Sequence, residues 1–530
     1  MDRSYFKYIF IAIIIIIVLV SIYIFSQNGG EEQKQAVDQT STINTIQKDL
    51  RFAIAGLDTM NPLLSKNRNV QEISKIIFDP LISFDEHYKP DYRLAEKVEK
   101  KSDTEYIITV RKYVKWHNGT SFDANDVVYT INTIRNLDTA SLYVENLRKV
   151  QEVKLIDDYN VQITLKERVP FFEYYLTFPI MSQKYYEGVD ITNADKNVMP
   201  VGTGLFKFDT QNGSTYTLLR NDLYWDVERK PMAEQVIITT YGTIGEVYNS
   251  FKSGSIDLVT VNTSNVEEYI GTLGYNKIEY KARNYDFLCF NLLSDVFSDK
   301  NIRKAISYAL DKNAIVATCL GNGYAASNFS LDFGNWLYTK DLTVGVDTEK
   351  TSQLLEEAGW IYRNNNWQRS TNRRTESLSF TLLVNSDFPE RVTVAENIEE
   401  QLGNIGIDVQ VVELNSARFN QAIQNNEFDC AILGIEVGFT PNLRTFFGDN
   451  NVANYNKEEV RTLLYQAENA KDEQTIYDCY GKLYDIYLDD CPYIGLYRNT
   501  QSVIMNTGLV GNISPNSFNN FHNIWQWYRQ

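Results

Sequence analysis

Histidine and cysteine, the side chains that most often bind metals or attack substrates, are sparse and scattered in this chain. The three histidines, His87, His117 and His522, belong to no recognisable cluster of metal ligands. Cys289, Cys319, Cys430, Cys479 and Cys491 are odd in number and lack C-x-x-C spacing. They form neither a disulfide framework nor a zinc site, and are expected to act as small core residues. Gly202-Thr203-Gly204 is too short for a phosphate loop, which needs G-x-x-x-x-G-K-(S/T). No G-x-S-x-G, H-E-x-x-H or Cys/His pair of recognisable spacing occurs, so the expectation is a protein that is not an enzyme and has no cofactor or metal. With 68 acidic residues some carboxylate pair always meets in space, so a surface hydrolase stays as the least favoured alternative. What remains is non-covalent recognition. For that, 35 Tyr, 27 Phe and 7 Trp supply large contact areas with polar handles, although most of them are expected in the core.

The elements that must position these residues come from a long globular chain. At 530 residues it exceeds the size, about 250–300 residues, at which one core stops growing. Hydrophobic content of 43% and charged content of 22% are those of a folded protein. A net charge of −17 argues against a nucleic-acid partner, because phosphate binding needs clustered Lys and Arg.

The N-terminus predicts a membrane anchor. Ile9 to Phe25 is an unbroken apolar run apart from Ser21. As a helix it would span about 26 Å, close to the ~30 Å hydrocarbon core. Arg3 and Lys7 precede it and Glu31 and Glu32 follow it, which puts the remaining chain outside the cell. No small-x-small cleavage site follows Phe25, so an uncleaved anchor over 1–26 is favoured over a cleaved signal, with 27–47 as a flexible tether.

From Asp49 onward strands and helices alternate without internal repeats. Tyr106 to Arg111 reads as a strand leading to Trp116-His117-Asn118-Gly119-Thr120, a turn, and then to helical spacing from Phe122-Asp123-Ala124-Asn125-Asp126-Val127. Asp58-Thr59-Met60-Asn61-Pro62, Pro200-Val201-Gly202-Thr203-Gly204-Leu205-Phe206 and Arg220-Asn221-Asp222-Leu223-Tyr224-Trp225 lie before and after it in sequence. Phe251-Lys252-Ser253-Gly254-Ser255-Ile256-Asp257 comes next. Asp299 to Asp311 then carries a stripe of Ile302, Ala305, Ile306 and Ala309, with Ser298 as the expected cap. Leu354-Leu355-Glu356-Glu357-Ala358-Gly359-Trp360 ends on a glycine suited to a left-handed helix end. Ile398, Leu402, Ile405, Gly406 and Ile407 close the series. In this order the motifs resemble those of the family 5 extracellular solute-binding proteins, the peptide, dipeptide and nickel receptors of ABC importers. Taken singly, each motif reads as scaffold.

The resemblance implies an α/β, two-lobed periplasmic-binding-protein type II (Venus-flytrap) fold with an extra inserted subdomain, here preceded by the transmembrane helix. Lobe I would cover 48–280 plus 489–530, with the insertion at about 80–190, and lobe II would cover 281–488. It implies a monomeric receptor at the cell membrane, its ectodomain outside. The receptor would capture a peptide or peptide-like solute between the lobes and hand it to an ABC permease with a separate ATPase. A membrane-anchored sensor of a peptide signal or cell-wall fragment is the alternative. Nickel is not expected, given the histidines. Two ligand-contact segments carry over. Asn136-Leu137-Asp138-Thr139-Ala140-Ser141-Leu142-Tyr143 resembles the segment whose tyrosine, here Tyr143, reaches the ligand. After Phe428-Asp429, oligopeptide receptors carry G-W-x-x-D, whose aspartate pairs with a peptide ammonium; this chain has Gly434-Ile435-Glu436-Val437-Gly438-Phe439. Ile435 stands at the tryptophan position and Gly438 at the aspartate position. Either Glu436 or another acid supplies the counter-charge, or the ligand has no free N-terminus there, because a buried unpaired ammonium is costly.

Overall fold

The computed structural model describes residues 48–261, 274–370 and 374–530. The expected anchor and tether lie outside them, and among the described residues no helix is long and apolar enough to cross a membrane.

Residues 47–530 form one compact unit with a two-lobed α/β architecture. In the first lobe, β1 (Asp49–Ala55) lies parallel to β10 (Gln235–Tyr241), which continues antiparallel to β9 (Thr215–Arg220) and β8 (Phe206–Asn212). β1 shows the alternation that the sequence predicts: Leu50, Phe52 and Ile54 point into the core. A second antiparallel sheet takes β4 (Ala95–Lys100), β5 (Glu105–Val110), β7 (Asn160–Leu165) and β6 (Val150–Asp157) in that order. The helix Ala124–Leu137 packs on it, started by a capping box between Asp123 and Asp126 and burying Val127, Ile131 and Ile134. The helix Arg68–Ile77, capped by Asn67, packs on β1 and β8 of the first sheet, and a short hairpin of β2 (Ile82–Phe84) and β3 (Pro90–Tyr92) lies next to β4 of the second.

The second lobe is built on a larger mixed sheet. Its strands run β11 (Leu258–Val261), β20 (Tyr493–Asn506), β12 (Tyr275–Phe290), β19 (Cys430–Glu436), β17 (Ser379–Asn385) and β18 (Asp408–Leu414), with β13 (Tyr324–Ala326) also on β20. β12 and β20 are long enough to serve both lobes. Ile278 and Tyr280 pack on the first lobe's core, whereas Leu288 and Phe290 belong to the second's; between them the register slips, from Lys281 to Tyr285. The helix Lys300–Ala309 buries Ile302, Ala305 and Ile306 as predicted. Its cap, however, is Asp299, whose carboxylate accepts from the Asn301 amide, while the Ser298 hydroxyl donates to the Asp295 carbonyl instead. Gly359 follows the helix Thr348–Glu357 at φ +83°, the left-handed residue expected there. Four cysteines are buried, Cys319 is partly so, and all five are free thiols.

The shared motifs knit the first lobe together. Ile77 closes its helix against Gly202 and Gly204: a Cβ on Gly202 would lie 1.9 Å from the Ile77 carbonyl oxygen. The Gly204 amide donates to that same oxygen at 2.8 Å. Asp79, two residues on, accepts from Thr203, from the Tyr224 hydroxyl at 2.9 Å and from Trp225 Nε1 at 3.0 Å. Trp116 is buried and donates to Asp126 at 3.1 Å. His117 binds Gly202 through its backbone amide and Gly204 through Nε2 at 3.0 Å. Burial of its ring pushes the His117 pKa down to about 4, against the opposing pull of the Gly204 carbonyl. Asp257, 1% exposed, ties Arg51 at 2.8 Å and Arg529 at 3.2 Å, so three distant chain segments meet on one carboxylate.

Candidate functional site

A cavity of about 530 Å³ opens between the lobes. The helix Arg68–Ile77 gives it Gln71, Glu72 and Lys75, and the segments flanking the β4–β7 sheet give Tyr143 and Tyr174. The second lobe contributes Gly438, Phe439 and Thr440, and the C-terminal loop contributes Ser517, Phe518, Phe521 and Trp525 among others. A neighbouring cavity of about 400 Å³ is lined by Arg68, Glu72, Asn284, Glu436 and Gln501. Glu72, Arg283 and Ser517 line both.

The expected ligand residues fall into three groups. Tyr143, Gly438 and Phe439 lie on the main cavity. The Tyr143 hydroxyl donates to Gln71 Oε1 at 2.5 Å, and Gln71 is itself held by the Pro62 and Ser65 carbonyls. Burial raises the Tyr143 pKa far above the usual phenol range, so it stays a neutral hydroxyl whose oxygen can still accept from a ligand N–H. Glu436 lies only on the neighbouring cavity, 61% exposed, and is ion-paired with Arg283. Ile435 and Val437 face the second lobe's aromatic core, Val437 being 6% exposed. This division follows from strand alternation: β19 ends at Glu436, so its neighbours on either side point the other way.

Gly438 leaves room at the position where the resembled receptors carry an acid. A Cβ there would meet nothing nearer than Thr440 Oγ1 at 3.7 Å, an ordinary contact. Gly434 is the opposite case. A Cβ there would strike Arg391 Nη2 at 1.9 Å, because the buried Asp286–Arg391 pair, 2.6 Å apart, lies against the strand. Phe439 sits in an aromatic group, with ring centroids 5.5 Å from Phe84, 5.8 Å from Tyr88 and 5.2 Å from Phe518. The Arg283 guanidinium lies over its ring at 4.2 Å.

Arg283, Arg68, Glu72 and the C-terminal loop had no part in the sequence expectations. Arg283 carries a faint signal, a charge one turn of the pleat before the wholly buried run Tyr285 to Phe290. The loop Ser517 to Trp525 gives none, because an Asn-rich stretch with Phe518, Phe521 and Trp525 looks like any surface turn with a few core anchors. Among the described residues no group of three or more His, Cys, Asp and Glu side chains is placed to hold a metal ion.

Comparisons with known proteins agree with the architecture. The family model described as "Bacterial extracellular solute-binding proteins, family 5 Middle" matches residues 89–456. The oligopeptide-binding protein AppA of Bacillus subtilis is 24% identical over 531 residues, covering 96% of each chain. The periplasmic oligopeptide-binding protein OppA of Salmonella typhimurium is 25% identical over 457 residues, covering 77% of this chain and 79% of its own. Among solved structures, the periplasmic murein tripeptide-binding protein MppA in its unliganded open form superposes with a TM-score of 0.76 at 16% identity, covering 91% of this chain and 97% of its own. The match to residues 89–456 takes in most of the chain, and this chain therefore belongs to the bacterial extracellular solute-binding proteins, family 5.

Proposed function

We propose that the protein is an extracytoplasmic receptor that captures a peptide or peptide-like solute between its lobes and delivers it to an ABC import permease driven by a separate ATPase. The observation that carries this reading is the interlobe cavity in a chain of this family. At about 530 Å³, with walls from both lobes, it falls in the ~300–1,000 Å³ range of small-ligand sites. The names of the relatives AppA and OppA support a peptide as the solute class. The family is one of binding proteins rather than enzymes, and no catalytic role is assigned.

The finer organisation belongs to the same proposal. Lobe I takes residues 48–280 and 489–530, with an insertion at about 80–190, and lobe II takes 281–488. The slip in β12 between Lys281 and Tyr285 supports the first boundary. Along β20 the change of core comes later, since Tyr497 packs with the second lobe and Val503 with the first. Residues 1–26 anchor the monomer in the cell membrane, supported by their apolar sequence, and 27–47 tether it. Tyr143, Gly438 and Phe439 contact the solute directly, while Ile435, Glu436 and Val437 support that wall.

Native mass spectrometry of the full chain, purified in mild detergent with its endogenous ligand, tests the reading. Added masses that dissociate into short peptides are expected. A single non-peptide mass would replace the substrate class, and a bare protein that also ignores a peptide library would refute the receptor reading.

A further inference from the structure

The β2–β3 hairpin and the β4–β7 sheet belong to the first lobe's core, where Ile82, Ile108 and Ile163 join Phe52 and Val236. They also reach across to the second lobe, with one ring and a row of cations. The ring is Tyr88, at the tip of the hairpin. Asp85 builds that tip by accepting from the His87 and Lys89 amides at 2.8 and 2.9 Å. Tyr88 is left at φ +62°, a strained conformation for a bulky residue. It is 2% exposed and sits in the second lobe's aromatic core, its ring centroid 4.8 Å from Phe333. Beside it the Trp336 amide donates to the His87 carbonyl at 2.8 Å, and Trp336 Nε1 donates to the Tyr174 hydroxyl at 2.8 Å. Three cations flank this ring. Lys89 meets Glu473 at 2.8 Å, Lys100 meets Asn469 Oδ1 at 2.6 Å and Arg168 meets Glu468 at 2.6 Å.

The cationic contacts can part without stranding a charge. Glu468, 1% exposed, also accepts from Arg444 of its own lobe at 2.6 and 2.8 Å, so it stays paired when Arg168 leaves. Lys100 has Asp103 at 2.8 Å on its own side, and Arg168 has the same carboxylate at 3.9 Å. The heavy cost of breaking a buried ion pair, an uncompensated charge left inside, does not arise. Tyr88, Lys89, Lys100 and Arg168 are absent from the lining of the interlobe cavity, so these bonds form between protein groups alone.

We propose that the β2–β3 hairpin is a latch: Tyr88, with Lys89, Lys100 and Arg168 beside it, holds the lobes closed independently of solute, and solute enters and leaves when the latch opens. The inference rests on the solute-receptor reading above and adds a regulation to it, since capture can go no faster than the latch opens. The three cations are between 22% and 38% exposed, so their share of the hold weakens with salt, whereas that of the buried Tyr88 ring does not.

The Trp336 amide, bonded to the His87 carbonyl across the lobe contact, reports the latch by hydrogen exchange. The full chain in detergent, shown by native mass spectrometry to carry no solute, is exchanged into deuterated buffer, and the fragment containing Trp336 is followed. Slow exchange is expected for the unaltered chain. Lys89→Gln combined with Arg168→Gln should speed it on the order of tenfold, and about 1 M salt should do the same to the unaltered chain. Amides of β10, in the first lobe's core, should stay as slow as before. Unprotected exchange at Trp336 in the solute-free unaltered chain, or no change in the double variant, would overturn the latch. Equal acceleration in β10 would overturn it too, because the cations would then support the whole fold and not the lobe contact. All of these results leave the receptor reading standing. Only a chain that neither carries nor takes up solute, in the mass spectrometry described above, would overturn that reading.

Discussion

Replacing Gly202 by alanine puts the scaffold reading of the shared motifs to a quantitative test. The new methyl would sit 1.9 Å from the Ile77 carbonyl oxygen and 2.8 Å from its carbonyl carbon, where ordinary contact begins near 3.4 Å. The obstacle is backbone, so no side-chain rotation relieves it, and one segment must retreat by about 1.5 Å. That retreat breaks or stretches the bonds that hold the two segments and His117 together. Gly204 donates to Ile77 at 2.8 Å, the His117 amide donates to Gly202 at 2.9 Å, and His117 Nε2 meets the Gly204 carbonyl at 3.0 Å. Each buried bond contributes roughly 0.5–1.5 kcal/mol net, so losing three costs about 2–4 kcal/mol. Urea unfolding followed by tryptophan fluorescence measures the change directly, because Trp116 and Trp225 both lie in this knot. A loss below about 1 kcal/mol, with unchanged binding, would mean that the glycines do not mark a close backbone approach and that the motif is retained for some other purpose.

Three further outcomes are expected. His117 is neutral when buried, with its pKa lowered to about 4 from 6.5, so the stability it gives is complete above pH 6.5 and is lost as pH falls through 4. The loss is up to about 3 kcal/mol, and His117→Gln should flatten the melting-temperature profile over that window; an unchanged profile refutes the assignment. Asp332→Ala leaves the fully buried Arg498, now 2.6 Å from that carboxylate, without a counter-charge. Denaturant melts should show a loss of about 3–5 kcal/mol, and a change under 1 kcal/mol would mean that the Phe329 and Ser330 carbonyls suffice for Arg498. Gly438→Asp places an acid where the cavity has room for one, so peptides with a free N-terminus should gain on the order of tenfold over acetylated ones by calorimetry. No discrimination would show that the ammonium end lies elsewhere.

Much of the fold is legible in the chain because its signals are local. The alternation of β1, the stripe of the helix at Ile302 and the left-handed Gly359 each depend on a few neighbouring residues. Ser298 and Asp299 show how fine that legibility is. Both are good caps, and only the residue whose carboxylate meets the Asn301 amide takes the role. The cavity is less legible because its walls come from segments hundreds of residues apart. Tyr143 and Phe439 follow from a resemblance, whereas Arg283 and Arg68, 215 residues apart, come to line one cavity only through the fold. Glu436 shows the limit from the other side. A carboxylate at the right place in sequence has its charge already taken up by Arg283, a partner 153 residues away.

The carboxylate of Asp257, which joins Arg51 to Arg529, also bears on the order in which the chain can assemble. The first-lobe core needs Val503 and Met505 from β20, and Arg529 also binds Asp49 at 3.0 Å, so the first lobe is completed only by segments nearly 500 residues downstream of its first strand. Nearly all of the second lobe, by contrast, is synthesised before that point. Non-local pairing of this kind slows folding, since a long loop must close before any contact rewards it. The lobe made first is therefore the lobe finished last: its early strands can pair with one another, but its core stays open until β20 and Arg529 have joined it.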